Sequence, residues 1–303
     1  MSPSPERMSL PVMAGAVTAM FLWALCFPLI SLGLDAAPPM AYAALRAVVS
    51  GLVLLALARL LRRPRLTGAR VRMGVAGVGL SATALGFVGM FYGGGLVSPG
   101  IATVVANTQP LIAAGLAWSV LDESLRPVQR VGLAAGFGGI VLIGVPGMTG
   151  GGGEALGVLY ILAGAVGVAV GNVLLKRLAG RVDVLRAMGW QFLVGALPLG
   201  AWALLAEDVT AIRWSPGFLL SLGVLSLFGT AAVFVLWFTL LERARLTQLN
   251  VFTFLTPVFG LAMGTAFFAE TIELAAIVGI GLSLIGIYLV TRPPVAAAGS
   301  SRS

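Results

Sequence analysis

Histidine is absent from this 303-residue sequence and cysteine occurs once, at Cys26. Without His the chain lacks the usual general base near neutral pH and the commonest metal ligand. One Cys within an apolar run excludes an intrachain disulfide and a cysteine metal cluster. Charge is scarce as well, at 10% of residues. The 11 acidic residues can all be placed in loops or at the ends of apolar runs, so a carboxylate proton relay has no evident members. No Ser-His-Asp set or metal-ligand spacing occurs. The run Gly150–Gly153 lacks the Lys and Ser/Thr of a phosphate-binding loop. The sequence therefore points away from an enzyme, and no cofactor or metal is expected.

What fills the chain is hydrocarbon. Apolar residues make up 59% of it and the mean hydropathy is +1.03, far above a soluble protein, in which about 45–50% of residues are apolar. With about 20 apolar residues needed to cross a bilayer, ten spans are expected, at about 10–32, 38–58, 73–94, 99–119, 128–146, 155–175, 185–206, 217–240, 247–269 and 273–291. Each must be helical, because lipid offers no partner to open backbone groups. The expected fold class is thus an all-α polytopic membrane protein.

The net charge of +8 does not point to nucleic acid, because the basic residues sit in short loops between apolar runs. With both termini cytoplasmic, the inner segments hold every Lys and Arg except Arg213, on the outer side, and Arg46, inside the second span. A wrong span count would scramble that alternation.

The chain also repeats itself. Shifted by 147 positions, Ser98–Pro146 lies over Arg245–Pro293 without gaps. Val104 then meets Val251, Pro110 meets Pro257, Glu123 meets Glu270, Gly132 meets Gly279 and Gly139 meets Gly286. Similarity at half the chain length indicates two related halves rather than a short-period solenoid. Five spans per half is an odd number, so the second half is expected to be inverted, with a binding site between the halves. The expected division is 10–146, a Gly-rich linker at 147–154, a second repeat at 155–293 and a disordered tail at 294–303.

A mid-span Pro, a Glu thirteen residues later and then a Gly-rich span resemble the EamA-type repeat of the drug/metabolite transporter superfamily. Trp23-Ala24-Leu25-Cys26-Phe27-Pro28 is similar to the family's Trp-x-x-Asn-Phe opening, with Cys26 where Asn is common. Gly171-Asn172-Val173, followed by Lys176, looks like the matching segment with Asn kept and Trp lost. Arg46 stands where an Arg is often seen in the family's second span. The resemblance implies a ten-helix inner-membrane carrier of small organic solutes, often outward, with a cavity lined mainly by spans 1, 3, 4, 6, 8 and 9.

The residues themselves are compatible with a cavity. Thr103, Asn107, Pro110 and Ala114 form one small or polar stripe at helical spacing, and Asn250, Thr253, Pro257 and Gly260 form another. Polar amides in hydrocarbon need partners, so these stripes should face the protein interior. Pro110 and Pro257 each remove a backbone donor and are expected to kink their helices, freeing carbonyls. Helix packing alone is the competing account of each stripe. Arg46, deep in its span, should face a cavity, carbonyls or a substrate carboxylate, with snorkelling to the outer interface as the alternative. Trp23, Arg46, Tyr92, Asn107, Asn172, Trp237, Asn250 and Thr253 are the candidate substrate-binding residues, giving aromatic walls with a few polar groups. Small-xxx-small pairs at Gly132/Gly136, Gly167/Gly171 and Gly279/Ser283 predict close helix packing.

The expected function is secondary transport of a small solute, an amino acid or related metabolite, across the inner membrane by alternating access, with export the expected direction. The expected partners are the solute and the lipid bilayer, with no nucleic acid, and the chain is expected as a monomer or homodimer. A membrane-embedded enzyme or flippase acting on lipid intermediates, and a non-transporting scaffold, are the alternatives. Without a mid-span Asp, Glu or His, exchange or facilitated diffusion is expected rather than strict proton coupling.

Overall fold

A computed structural model describes residues 8–93, 96, 105–123, 125–144, 154–268 and 274–291, and among them every regular element is helical. The main helices are α1 (Leu10–Ala24), α2 (Cys26–Leu34), α3 (Pro39–Leu60), α4 (Ala69–Val78), α5 (Gly86–Val88), α6 (Gln109–Leu121) and α7 (Pro127–Gly144). They continue with α8 (Glu154–Leu178), α9 (Val184–Ala206), α10 (Pro216–Ser226), α11 (Val233–Arg243), α12 (Leu246–Asn250), α13 (Leu255–Phe268) and α14 (Leu274–Thr291). The expected linker lies outside the described residues apart from Glu154, which opens α8, and so do the expected tail, Thr103 and Glu270.

Helix starts follow local chemistry. Proline stands in the first turn of α1, α3, α6 and α10, where its missing N–H leaves no intrahelical bond unmade. Asp183 caps α9 by accepting the Arg186 N–H at 3.0 Å, and Ser215 caps α10 by accepting the Phe218 N–H at 3.2 Å. Five stretches are long and apolar enough to cross a membrane: Pro39–Leu60, Ala69–Gly93, Leu156–Leu178, Val184–Ala206 and Pro216–Arg243. Shorter apolar helices at Leu10–Ala24, Gln109–Leu121, Pro127–Leu142 and Ile277–Thr291 accompany them. Large apolar side chains such as Leu197, Leu204, Leu205 and Leu220 point outward, an arrangement water would penalise and lipid does not.

Two of these stretches are interrupted. Ala69–Gly93 carries π-helical segments at Gly79–Leu85 and Gly89–Gly93, and Pro216–Arg243 carries one at Leu227–Ala232. The 147-residue shift places Gly79–Leu85 on Ser226–Ala232, so the break recurs with the sequence repeat. Between α12 and α13 the chain tightens into a 3₁₀ segment, Val251–Phe254. Pro110 and Pro257 stand just inside restarted helices: α6 begins after a turn at Asn107–Thr108, and α13 begins two residues before Pro257. The expected kinks are therefore breaks placed immediately before each proline.

Helices from the two repeats pair across the molecule. Helix α3 packs along α9, α7 along α14, α1 against α11 and α13, and α8 against α6 and the α4–α5 stretch. The α3–α9 pair is antiparallel: near the end of α3 Arg63 meets Asp183, just before α9, whereas Glu207, just after α9, meets the start of α3. The α7–α14 contact is close because glycine permits it. A Cβ on Gly132 would stand 2.9 Å from the Gly286 carbonyl oxygen, and one on Gly286 would stand 2.6 Å from that of Gly132.

Candidate functional site

Four of the eight expected binding residues meet in one cluster, and a fifth braces it. Trp23, near the end of α1, lies 5.2 Å from Trp237 of α11 between ring centroids and 5.6 Å edge-on from Phe234. The Trp237 indole N–H donates to Asn172 Oδ1 at 2.9 Å, and Asn172 Nδ2 donates to Asn250 Oδ1 at 3.3 Å. An indole N–H can only donate, which orients both amides in turn and leaves Asn250 Nδ2 as a buried donor without a partner among the described residues. Trp237 and Asn250 are each 1% exposed. Thr253 braces the cluster from the 3₁₀ segment, its hydroxyl donating to the Asn250 carbonyl at 2.6 Å. The break between α12 and α13 thus sits beside a polar chain contributed by α8, α11 and α12 and walled by α1.

The other candidates lie elsewhere. Arg46 is buried in α3, over the Phe87 ring and against the π segment of the α10–α11 stretch. Its Nε donates to Thr230 Oγ1 at 2.6 Å and its Nη2 to the Gly229 carbonyl at 3.2 Å. Tyr92 belongs to one end of the molecule. Its hydroxyl donates to Glu207 Oε1 at 3.0 Å, and its ring lies 5.2 Å from Trp202 and 6.2 Å from Tyr160. Asn107 falls in the turn before α6, and Pro110 and Pro257 in the first turns of α6 and α13.

The sequence reading missed two helix-capping carboxylates. Glu207 accepts the Met40 and Ala41 N–H groups, each at 2.9 Å, at the start of α3. Glu123, after α6, accepts the Leu246 and Thr247 N–H groups at 3.1 and 3.2 Å and the Thr247 hydroxyl at 2.9 Å, at the start of α12. Each neutralises the positive end of a helix belonging to the other repeat. Near Glu123, Lys176 Nζ donates to the Leu241 and Ala244 carbonyls at 2.5 Å, at the frayed end of α11. Arg177 Nη2 donates to the Val120 carbonyl at 3.2 Å. This end is thereby fastened by polar groups from both repeats. Pro38-Pro39 signals a helix start in sequence, yet the capping acceptor comes from 167 positions away, beyond any local signal.

Among the described residues no group of His, Cys, Asp and Glu could hold a metal ion. The model of the EamA-like transporter family matches residues 10–145 and again 155–292. A chloroplastic WAT1-related protein of Arabidopsis thaliana is 30% identical over 91% of this chain and 68% of its own length. The uncharacterized transporter YvbV of Bacillus subtilis is 28% identical, over 89% of this chain and 88% of its own. The uncharacterized inner membrane transporter YedA of Escherichia coli is 27% identical, over 94% and 92%. A crystal structure with a TM-score of 0.79 and 22% identity covers 93% of this chain and 96% of its own, a likeness of fold. With both repeats matched, the chain belongs to the EamA-like transporter family.

Proposed function

We propose that the protein is a secondary transporter that carries small organic solutes, amino acids or related metabolites, outward across the inner membrane. Ten spans form two inverted five-helix halves with both termini cytoplasmic, and alternating access moves one half against the other. The observation that carries the reading is the Trp237–Asn172–Asn250 polar chain of the second repeat, covered by the Trp23 ring of the first, among apolar helices. The antiparallel α3–α9 pair and the recurrence of the π break at equivalent positions support the inversion. The inner-membrane name of the Escherichia coli relative supports the location.

Trp23, Asn172, Trp237, Asn250 and Thr253 are the proposed solute contacts. The aromatic faces cover apolar parts of the solute, and the unpartnered Asn250 amide offers it a donor. Tyr92 and Asn107 are proposed to act nearer the mouths. The helix-capping carboxylates Glu123, Asp183 and Glu207 are engaged by backbone N–H groups, and flux is proposed to follow the solute gradient.

Purified protein in liposomes tests this with pooled amino acids and metabolites inside and mass-spectrometric readout outside. Flux of at least one solute above empty vesicles, without a pH gradient, is the expected result. A Trp237→Ala protein that stays folded is expected to lose most of that flux. Undiminished flux in that variant would remove the aromatic–amide seam from the transport path.

A further inference from the structure

We infer that Arg46 is the basic element of an intramembrane binding site for a small monovalent anion, a carboxylate or a halide. The side chain is 1% exposed, in a helix apolar enough to span a membrane. Its Nε and Nη2 are taken by Thr230 Oγ1 and the Gly229 carbonyl, with Cys26 Sγ 3.8 Å from Nη2. Phe87 lies 4.7 Å beneath the guanidinium carbon. Among the described residues Nη1 has no partner and no carboxylate pairs with the charge. A guanidinium stays protonated in a protein, so a full positive charge sits among apolar helices with, among the described residues, only neutral dipoles and one aromatic face against it. Such a charge is stable when paired and costly when alone.

The repeat separates the structural task from the charge. Thr83 and Thr230 are equivalent under the 147-residue shift, and each stands within a π segment. Each is gripped by a side chain from a helix of the other repeat: Thr83 by Gln191 of α9, at 2.6 Å, and Thr230 by Arg46 of α3, at 2.6 Å. At the first site Thr83 donates to a neutral amide oxygen, whereas at the second Thr230 accepts from the guanidinium and donates to the Leu225 carbonyl at 2.9 Å. A neutral N–H donor would meet that need of Thr230, so holding the break does not require the charge, and the planar fork with Nη1 unpartnered among the described residues suits a carboxylate or halide. The packing around Arg46 means that an anion reaches Nη1 when neighbouring helices part, which links its binding to opening of the bundle. The inference deepens the transporter reading by naming an anionic solute or co-ion, and rests on that reading for its role in transport, although binding itself does not require flux.

Titration calorimetry of the full-length protein in detergent, buffered with a bulky organic anion, tests it with sodium acetate and sodium chloride as separate probes. Saturable binding of at least one probe is expected. Acetate binding identifies a carboxylate-bearing solute and chloride binding alone identifies an inorganic co-ion, and both uphold the anion site. Arg46→Gln is expected to abolish the signal, and Arg46→Lys, which keeps the charge without the fork, to weaken it about tenfold. Should Arg46→Gln not fold, the Lys variant decides. No saturable binding of either probe, or undiminished binding in a folded variant, overturns the inference. Flux of a neutral solute through protein that binds neither anion would leave the transporter reading standing without this site. Anion binding without flux of any solute would do the reverse.

Discussion

Asn172 does two jobs with one amide, accepting from the Trp237 indole and donating to Asn250. Truncating it strands a buried N–H of Trp237 and a second amide. Leaving a buried polar group without its partner costs about 1–3 kcal/mol. Asn172→Ala is therefore expected to lower unfolding stability in detergent by about that amount, whereas Asn172→Gln should retain part of it. Equal stability of wild type and the Ala variant would show the chain of bonds to be incidental. Glu123 makes a second residue-scale case, since its carboxylate holds three donors at the start of α12. Glu123→Gln keeps one oxygen and loses the charge that complements the helix end, an interaction worth about 0.3–1 kcal/mol at exposed sites and more when buried. Faster access of a thiol reagent to a cysteine placed at the neighbouring buried Gln248 is the expected outcome, and unchanged access would remove Glu123 from the fastening of that end.

At the scale of elements, the breaks matter more than the helices. The sequence made the apolar spans readable because composition and length suffice for them. It placed Pro110 and Pro257 at equivalent positions but could not show that each follows a local break of helix, because hydropathy is blind to hydrogen-bond register. The π segments at Gly79–Leu85 and Leu227–Ala232 were invisible for the same reason. The partners of those breaks, Gln191 and Arg46, come from helices more than a hundred residues away. The small-residue spacing was legible, and it assembles α7 on α14. Gly132→Val would drive a branched side chain into the Gly286 carbonyl and Leu289, each 2.9 Å from its Cβ. Overpacking of this kind costs about 1–3 kcal/mol or more, so a sharp loss of folded protein is expected on fluorescence-detected size exclusion. A normal monodisperse peak would show that the two helices can separate at little cost.

For the whole molecule, the proposed inversion joins the repeat, the charge distribution and the capping pattern: under it, equivalent segments of the two halves point opposite ways across the membrane. The loop after α3 carries Arg62, Arg63 and Arg65, and the loop after α9 carries Glu207, Asp208 and Arg213. Repeat arithmetic pairs Thr67 with Trp214, so these loops occupy equivalent places in their halves. The site was less legible than this plan. Trp23, Asn172, Trp237 and Asn250 do meet, but Tyr92 and Arg46 have separate surroundings, because spacing along one helix says nothing of which neighbours close over it. The most direct measurement is labelling of single cysteines placed at exposed Thr67 and exposed Thr210 with a membrane-impermeant thiol reagent, in intact cells and in inverted vesicles. The native thiol, Cys26, is buried and gives no background. Thr210→Cys reacting only in intact cells and Thr67→Cys only in inverted vesicles is the predicted result, and reaction of both from the same side would contradict the inverted architecture.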